Sequence, residues 1–126
     1  MDWSQYPNFS KREFDCKVTG ENRMRPEFMA LLQQIRLTYN KPMIITSGYR
    51  GKGHPVEASK LNGPGEHYYG VAADIAVSGQ DAMDLFVIAY GYGIRRIGLN
   101  QKGSGRYIHL GIGDHGYGFP PALWTY

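Results

Sequence analysis

Sulfur chemistry is almost missing from this chain: of 126 residues only Cys16 is a cysteine. One thiol cannot close an internal disulfide, so a disulfide-stapled scaffold is excluded and folding does not require an oxidising compartment. No apolar run approaches the roughly 18 residues of a membrane-spanning helix. The opening MDWSQYPNFSKREFD lacks the charged-then-apolar layout of a secretory signal, so any export is expected to use other means. Concentrated positive charge is also lacking. Fourteen Lys and Arg against eleven Asp and Glu give a net charge of +3, and the adjacent basic pairs are Lys11-Arg12 and Arg95-Arg96. That is far short of the clustered stripe of a nucleic-acid surface, and nucleic acid is not an expected partner.

What is present fits a single α+β domain over residues 1–126, expected to be a monomer. Hydrophobic residues at 42% and charged residues at 20% match globular averages. Seventeen Gly and ten Tyr predict many turns and a wet aromatic surface.

Ser10 to Glu13 has the capping-box spacing that opens a short helix. Pro26 suits a first helical turn, and Phe28, Leu31, Leu32, Ile35 and Tyr39 recur at helical spacing, which predicts an amphipathic helix over 26–39. Met43 to Ser47 reads as a short buried strand closed by Gly48. From Tyr49 to Gly70 no periodicity survives, and a stretch that long in a small domain is functional or disordered.

Val71 to Val77 alternates as a strand, with Asp74 on the face opposite Val71, Ala73, Ile75 and Val77. Ser78 offers a cap to a helix ending near Gly91, and Met83, Phe86, Val87 and Tyr90 mark its expected buried side. Arg95 to Leu99 and Arg106 to Ile112 form a hairpin through Gly103-Ser104-Gly105. On its second strand His109 faces away from Ile108, Leu110 and Ile112. The tail from Asp114 to Tyr126 is expected to lie over the surface, anchored by Trp124.

Asp74, between Ala72 and Ala76, and His109, between Tyr107 and Gly111, share one shallow groove if their strands share a sheet. His67 stands seven positions before Asp74, an odd offset that puts it on the opposite face of a straight strand; Gly70 supplies the bend that returns it. Two imidazoles and a carboxylate are the ligand set of a catalytic zinc site with water in the fourth position, which suits amide hydrolysis. The plainer reading of the same residues is a capping Asp and a packed strand His.

The segments Lys41-Pro42 to Ser47-Gly48-Tyr49-Arg50, Glu66-His67-Tyr68-Tyr69-Gly70-Val71-Ala72-Ala73-Asp74-Ile75 and Tyr107-Ile108-His109 resemble the zinc D-alanyl-D-alanine peptidase family. That family includes bacterial carboxypeptidases, the dipeptidase of vancomycin resistance and phage endolysin peptidase domains. The opening Phe9-Ser10 to Cys16 and the closing Leu123 to Tyr126 resemble its short, phage-associated branch, so the likeness covers nearly the whole chain. The resemblance implies a small, mostly antiparallel sheet holding one Zn2+ on one face, with helices on the other. It implies His67, Asp74 and His109 as the zinc ligands and Arg50 as the residue that binds substrate or steadies the oxyanion.

The implied function is hydrolysis of an amide bond in the peptide stem of bacterial peptidoglycan, of the D,D-carboxypeptidase or the L-Ala-D-Glu endopeptidase type. The site of action is then the cell wall or periplasm reached by phage delivery, or the bacterial cytoplasm. Ser47 is expected to support the Arg50 loop, and His54 to close over the groove toward substrate. Two positions depart from the family pattern. Members carry an acid a few residues before the last His or an Asp two after it, whereas here Arg106 and Gly111 stand there. Glu66 is the candidate general base in their place; Asp114 reads as a solvated loop carboxylate, and His54 and His115 are alternatives as a neutral base. A metal- or peptidoglycan-binding module without catalysis, or a phage structural protein that keeps the fold, fits the same residues. Cys16, beside Phe14, reads as a buried structural thiol.

Overall fold

A computed structural model describes residues 1–60 and 63–126; positions 61 and 62 of the unpatterned stretch lie outside the described residues. A 3-10 turn at Trp3–Gln5 leads into α1 (Lys11–Phe14), where the Ser10 N–H donates to Glu13 Oε2 at 2.7 Å, as the capping-box spacing predicts. Helix α2 (Pro26–Tyr39) ends at Asn40 in the left-handed conformation, φ 56°. Strand β1 (Ile44–Ser47), the short helix α3 (Pro55–Ala58), strand β2 (Ala72–Ala76), helix α4 (Gly79–Gly91), strands β3 (Arg96–Asn100) and β4 (Tyr107–Gly111), and strand β5 (Ala122–Thr125) follow.

The five strands make one sheet in the order β1-β2-β4-β3-β5, antiparallel except for the β3–β5 pair. The fold is therefore the α+β arrangement that the sequence predicts. Helices α2 and α4 cover one face. Phe28, Leu32 and Ile35 of α2 and Leu85 of α4 are fully buried there with Ile75, Ile108 and Leu110 of the sheet. Each such side chain contributes about 1.5–3 kcal/mol on burial. Cys16 belongs to this core, as predicted.

Four expectations need correction. The tail is not merely laid on the surface: residues 122–125 add β5 to the sheet edge, parallel to β3. The stretch after Tyr49 is not without structure, since His54 caps α3. Strand β1 is an edge strand and only half buried, with Ile45 inside and Ile44 exposed. The buried side of α4 is Ala82, Leu85 and Ala89, while Met83, Val87 and Tyr90 face out. Alanines let α4 approach the sheet closely, and the larger apolar side chains are left on its outer flank.

Register fixes where polar groups emerge on the face away from the helices. One cross-sheet row runs Ser47, Asp74, His109, Gly98, Trp124, one residue from each strand. The neighbouring row runs Ala72, Gly111, Arg96, Ala122. Because Gly98 has no side chain, the Trp124 indole lies over it; a Cβ there would stand 2.5 Å from Trp124 Nε1.

Candidate metal centre and cleft

Asp74 and His109 are direct cross-strand partners, so the β2–β4 register alone brings their side chains together. His109 Nδ1 lies 3.1 Å from Asp74 Oδ1. The third member arrives by a turn. Glu66 to Gly70 is a tight turn in which Tyr69 N–H donates to Glu66 O and Gly70 N–H to His67 O. Gly70 adopts φ +73°, and a Cβ there would stand 2.0 Å from the Arg23 carbonyl oxygen. Only glycine fits that position. The bend carries His67 back onto the sheet face, with Nε2 at 3.3 Å from Asp74 Oδ1.

His67, Asp74 and His109 each offer a ligand atom, and these atoms lie within 4.8 Å of one another; all three residues are buried. Among the described residues no other group of this kind is found. Cys16 is in the core and His115 is on the surface near Asp114, so neither adds a fourth ligand. Three protein ligands with an open position is the arrangement of a catalytic rather than a structural zinc.

The outer partners orient both rings. His67 Nδ1 is 2.8 Å from the Gly48 carbonyl oxygen, to which it donates, leaving Nε2 free for a metal. His109 presents Nδ1 to Asp74 and Nε2 to Glu66 Oε1, 2.8 Å away. Burial raises the Asp74 carboxyl, but His67 and His109 beside it outweigh burial and hold it well below the usual carboxylate range. Burial pushes the His67 imidazole down, toward the neutral form that binds metal. At His109 burial acts in the same direction, but the Asp74 and Glu66 carboxylates outweigh it and raise the imidazole.

The cluster lies in a cleft of about 650 Å³. Its cationic wall is Arg50, Lys60 and Arg96, and its aromatic wall is Tyr107, Phe119, Trp124 and Tyr126. Arg50 Nη2 donates to Asp74 Oδ2 at 3.2 Å, and Arg50 Nε donates to Ser47 Oγ at 3.0 Å. Glu57, almost fully buried, stands behind Arg50 and Lys60 at 4.0 and 3.1 Å. Trp124 places its ring 4.9 Å from that of His109.

The structure thus brings Arg50, Glu66, His67, Asp74 and His109 together, with Ser47 beneath Arg50. His54 is elsewhere: its Nδ1 accepts from Val56 N–H as the cap of α3, and Val56 rather than His54 borders the cleft. Asp114 pairs loosely with His115 at 3.8 Å and does not line the cleft. Adjacent residues on an extended chain point apart, but positions 66 and 67 lie in a turn, so both side chains converge on His109. Arg96 carried no signal of its own, because its place in the cleft depends on strand pairing.

The family model described as Peptidase M15 matches residues 7–111, which include every residue of the metal cluster. No curated protein matches the chain.

Proposed function

Because the chain belongs to the Peptidase M15 family, we propose that it is a zinc peptidase that hydrolyses an amide bond in the peptide stem of bacterial peptidoglycan. The observation that carries this reading is the buried His67, Asp74, His109 cluster at the base of an open cleft. A zinc ion on three protein ligands supplies Lewis-acid polarisation of a carbonyl and makes water nucleophilic near neutral pH.

The chain's own residues do the rest. Arg50 is held by Ser47 and Asp74, with its guanidinium on the cleft wall beside the cluster. That position suits an oxyanion or a substrate carboxylate, and the fork of donors favours either over a point charge. Lys60 and Arg96 line the same cleft, each paired with a buried carboxylate, Glu57 and Glu66. Tyr107, Trp124 and Tyr126 provide an apolar wall for short side chains.

The test is zinc content in wild type and His67→Ala, both purified without added metal or a histidine tag, followed by digestion of defined muropeptides. One zinc per chain, lost in the variant, with a stem-peptide bond cut, supports the reading. Mass spectrometry of the products then distinguishes release of a terminal D-Ala from a cut at L-Ala-D-Glu. Zinc without hydrolysis favours a binding module, and the absence of zinc in wild type overturns the assignment.

A further inference from the structure

Glu66 is a charged side chain with almost no exposure, and nothing in the metal cluster itself requires it. Its carboxylate has three partners. Oε1 is 2.8 Å from His109 Nε2, Oε2 accepts the Gly113 N–H at 2.8 Å, and Arg96 Nε stands 2.8 Å from Oε1 as an ion pair whose N–H is not aimed squarely along the contact. Arg96 is itself confined, with its guanidinium carbon 5.0 Å from the Phe119 ring centre and 5.2 Å from that of Trp124.

The room for this carboxylate comes from two glycines. A Cβ at Gly111 would stand 2.1 Å from Glu66 Oε2, and one at Gly113 would stand 2.8 Å from Glu66 Cγ. Gly111 is flanked across the sheet by Ala72 and Arg96. The side-chain space above position 111 is therefore filled by a residue from a different part of the chain.

We propose that Glu66, backed by Arg96, is the positioning residue for His109: it accepts the Nε2–H, fixes the ring tautomer and so aims Nδ1 at the metal beside Asp74 and His67. The inference rests on the metal centre proposed above. Glu66 sits on the ring nitrogen remote from the other two ligands, so it acts through His109 and not directly on the reacting atoms. An imidazole ligand gains orientation and basicity from such a partner, and loss of the partner typically lowers metal affinity by about 10–100-fold.

The geometry makes a further demand: positions 66 and 111 compete for one carboxylate space, so an acid at 111 is harmful while Glu66 is present and useful once it is gone. Zinc affinity is measured by chelator competition on the full chain for wild type, Glu66→Ala, Gly111→Asp and the double variant, with melting curves of the metal-free proteins alongside. Glu66→Ala is expected to bind zinc about 10–100-fold more weakly. Gly111→Asp alone is expected to weaken binding and lower Tm, whereas the double variant binds more tightly than either single one. Additive losses, or unchanged affinity in Glu66→Ala, overturn the proposal. Glu66→Gln keeps the size and one oxygen able to accept the His109 Nε2–H, so it is expected to fold even if an acid at 111 does not and to lose less zinc affinity than Glu66→Ala; an affinity no better than that of Glu66→Ala overturns the positioning role. Failure of the wild-type protein to bind zinc overturns the metal centre and this inference with it, a result distinct from a wild type that binds and a Glu66→Ala variant that binds equally well.

Discussion

The Trp124 indole lies over Gly98 and packs 4.9 Å from the His109 ring, so the last strand of the chain forms a wall of the metal cleft. Gly98 permits this only because it has no side chain: a Cβ would meet three indole atoms at 2.5, 2.6 and 2.9 Å. Gly98→Ala is expected to cost about 1–3 kcal/mol, the usual range for overpacking, and to shift tryptophan fluorescence as the indole moves. Unchanged fluorescence and Tm would contradict the packing of β5 described above.

A second glycine positions His67 of the candidate metal cluster. Gly70→Ala puts a Cβ at φ +73° and 2.0 Å from the Arg23 carbonyl oxygen, so the turn that returns His67 to the sheet face has to open. Destabilisation above about 1 kcal/mol is expected, together with loss of zinc. Retention of wild-type zinc stoichiometry in a folded Gly70→Ala protein would show that the turn does not set the ligand.

Zinc occupancy should depend on pH in one direction. Each ligand binds in its unprotonated form, so protons compete at His67 and His109 as acidity rises. Zinc is expected to be lost on dialysis below about pH 6, near the ordinary histidine value, and regained on return to neutrality. A protein that keeps its zinc at about pH 4 contradicts the ligand set.

Arg50 differs from Lys in the number of donors it aims, not in charge. Arg50→Lys should keep one zinc per chain while kcat/KM on the muropeptide falls by about 10–100-fold, because the bonds to Ser47 and Asp74 cannot both be kept while donors still face the cleft. Activity equal to wild type would remove Arg50 from the proposed mechanism.

A remote pair offers a test of the C-terminal loop. Tyr117 Oη donates to Glu27 Oε1 at 2.7 Å, and this bond holds the Glu27 carboxyl below its usual range. Since the folded form binds the proton less readily than the unfolded chain, the contribution is present above the unfolded carboxylate pKa and is lost as pH falls through the lower folded value. The pair is exposed to solvent, so the effect is a few tenths of a kcal/mol. Melting curves of wild type and Tyr117→Phe should differ slightly at neutral pH and converge in acid; a constant offset would mean that the bond is not the cause.

The residues of the His67, Asp74, His109 cluster were legible because local patterns reveal them. Alternation along 71–77 and 106–112 puts Asp74 and His109 opposite the core, and Gly70 marks the bend that His67 needs. The α4 face was misread for a physical reason. Periodicity finds the apolar stripe, but Ala82 and Ala89 allow closer approach to the sheet than Met83, Val87 and Tyr90 do, and that choice is made by the partner surface.

The sequence by itself determined which residue types lie on which face of each strand, since side-chain direction along a strand is fixed by its period of two. It also determined the α+β class, through the order of its strand and helix patterns. Beyond the β3–β4 hairpin, which the Gly103-Ser104-Gly105 turn already predicts, only the tertiary structure decided which strands are neighbours. The β4–β3–β5 order sets Arg96 beside Gly111 and Trp124 over Gly98. The space above Gly111 is what admits Glu66 to His109, and that space is a property of residues far apart in the chain that no local pattern encodes.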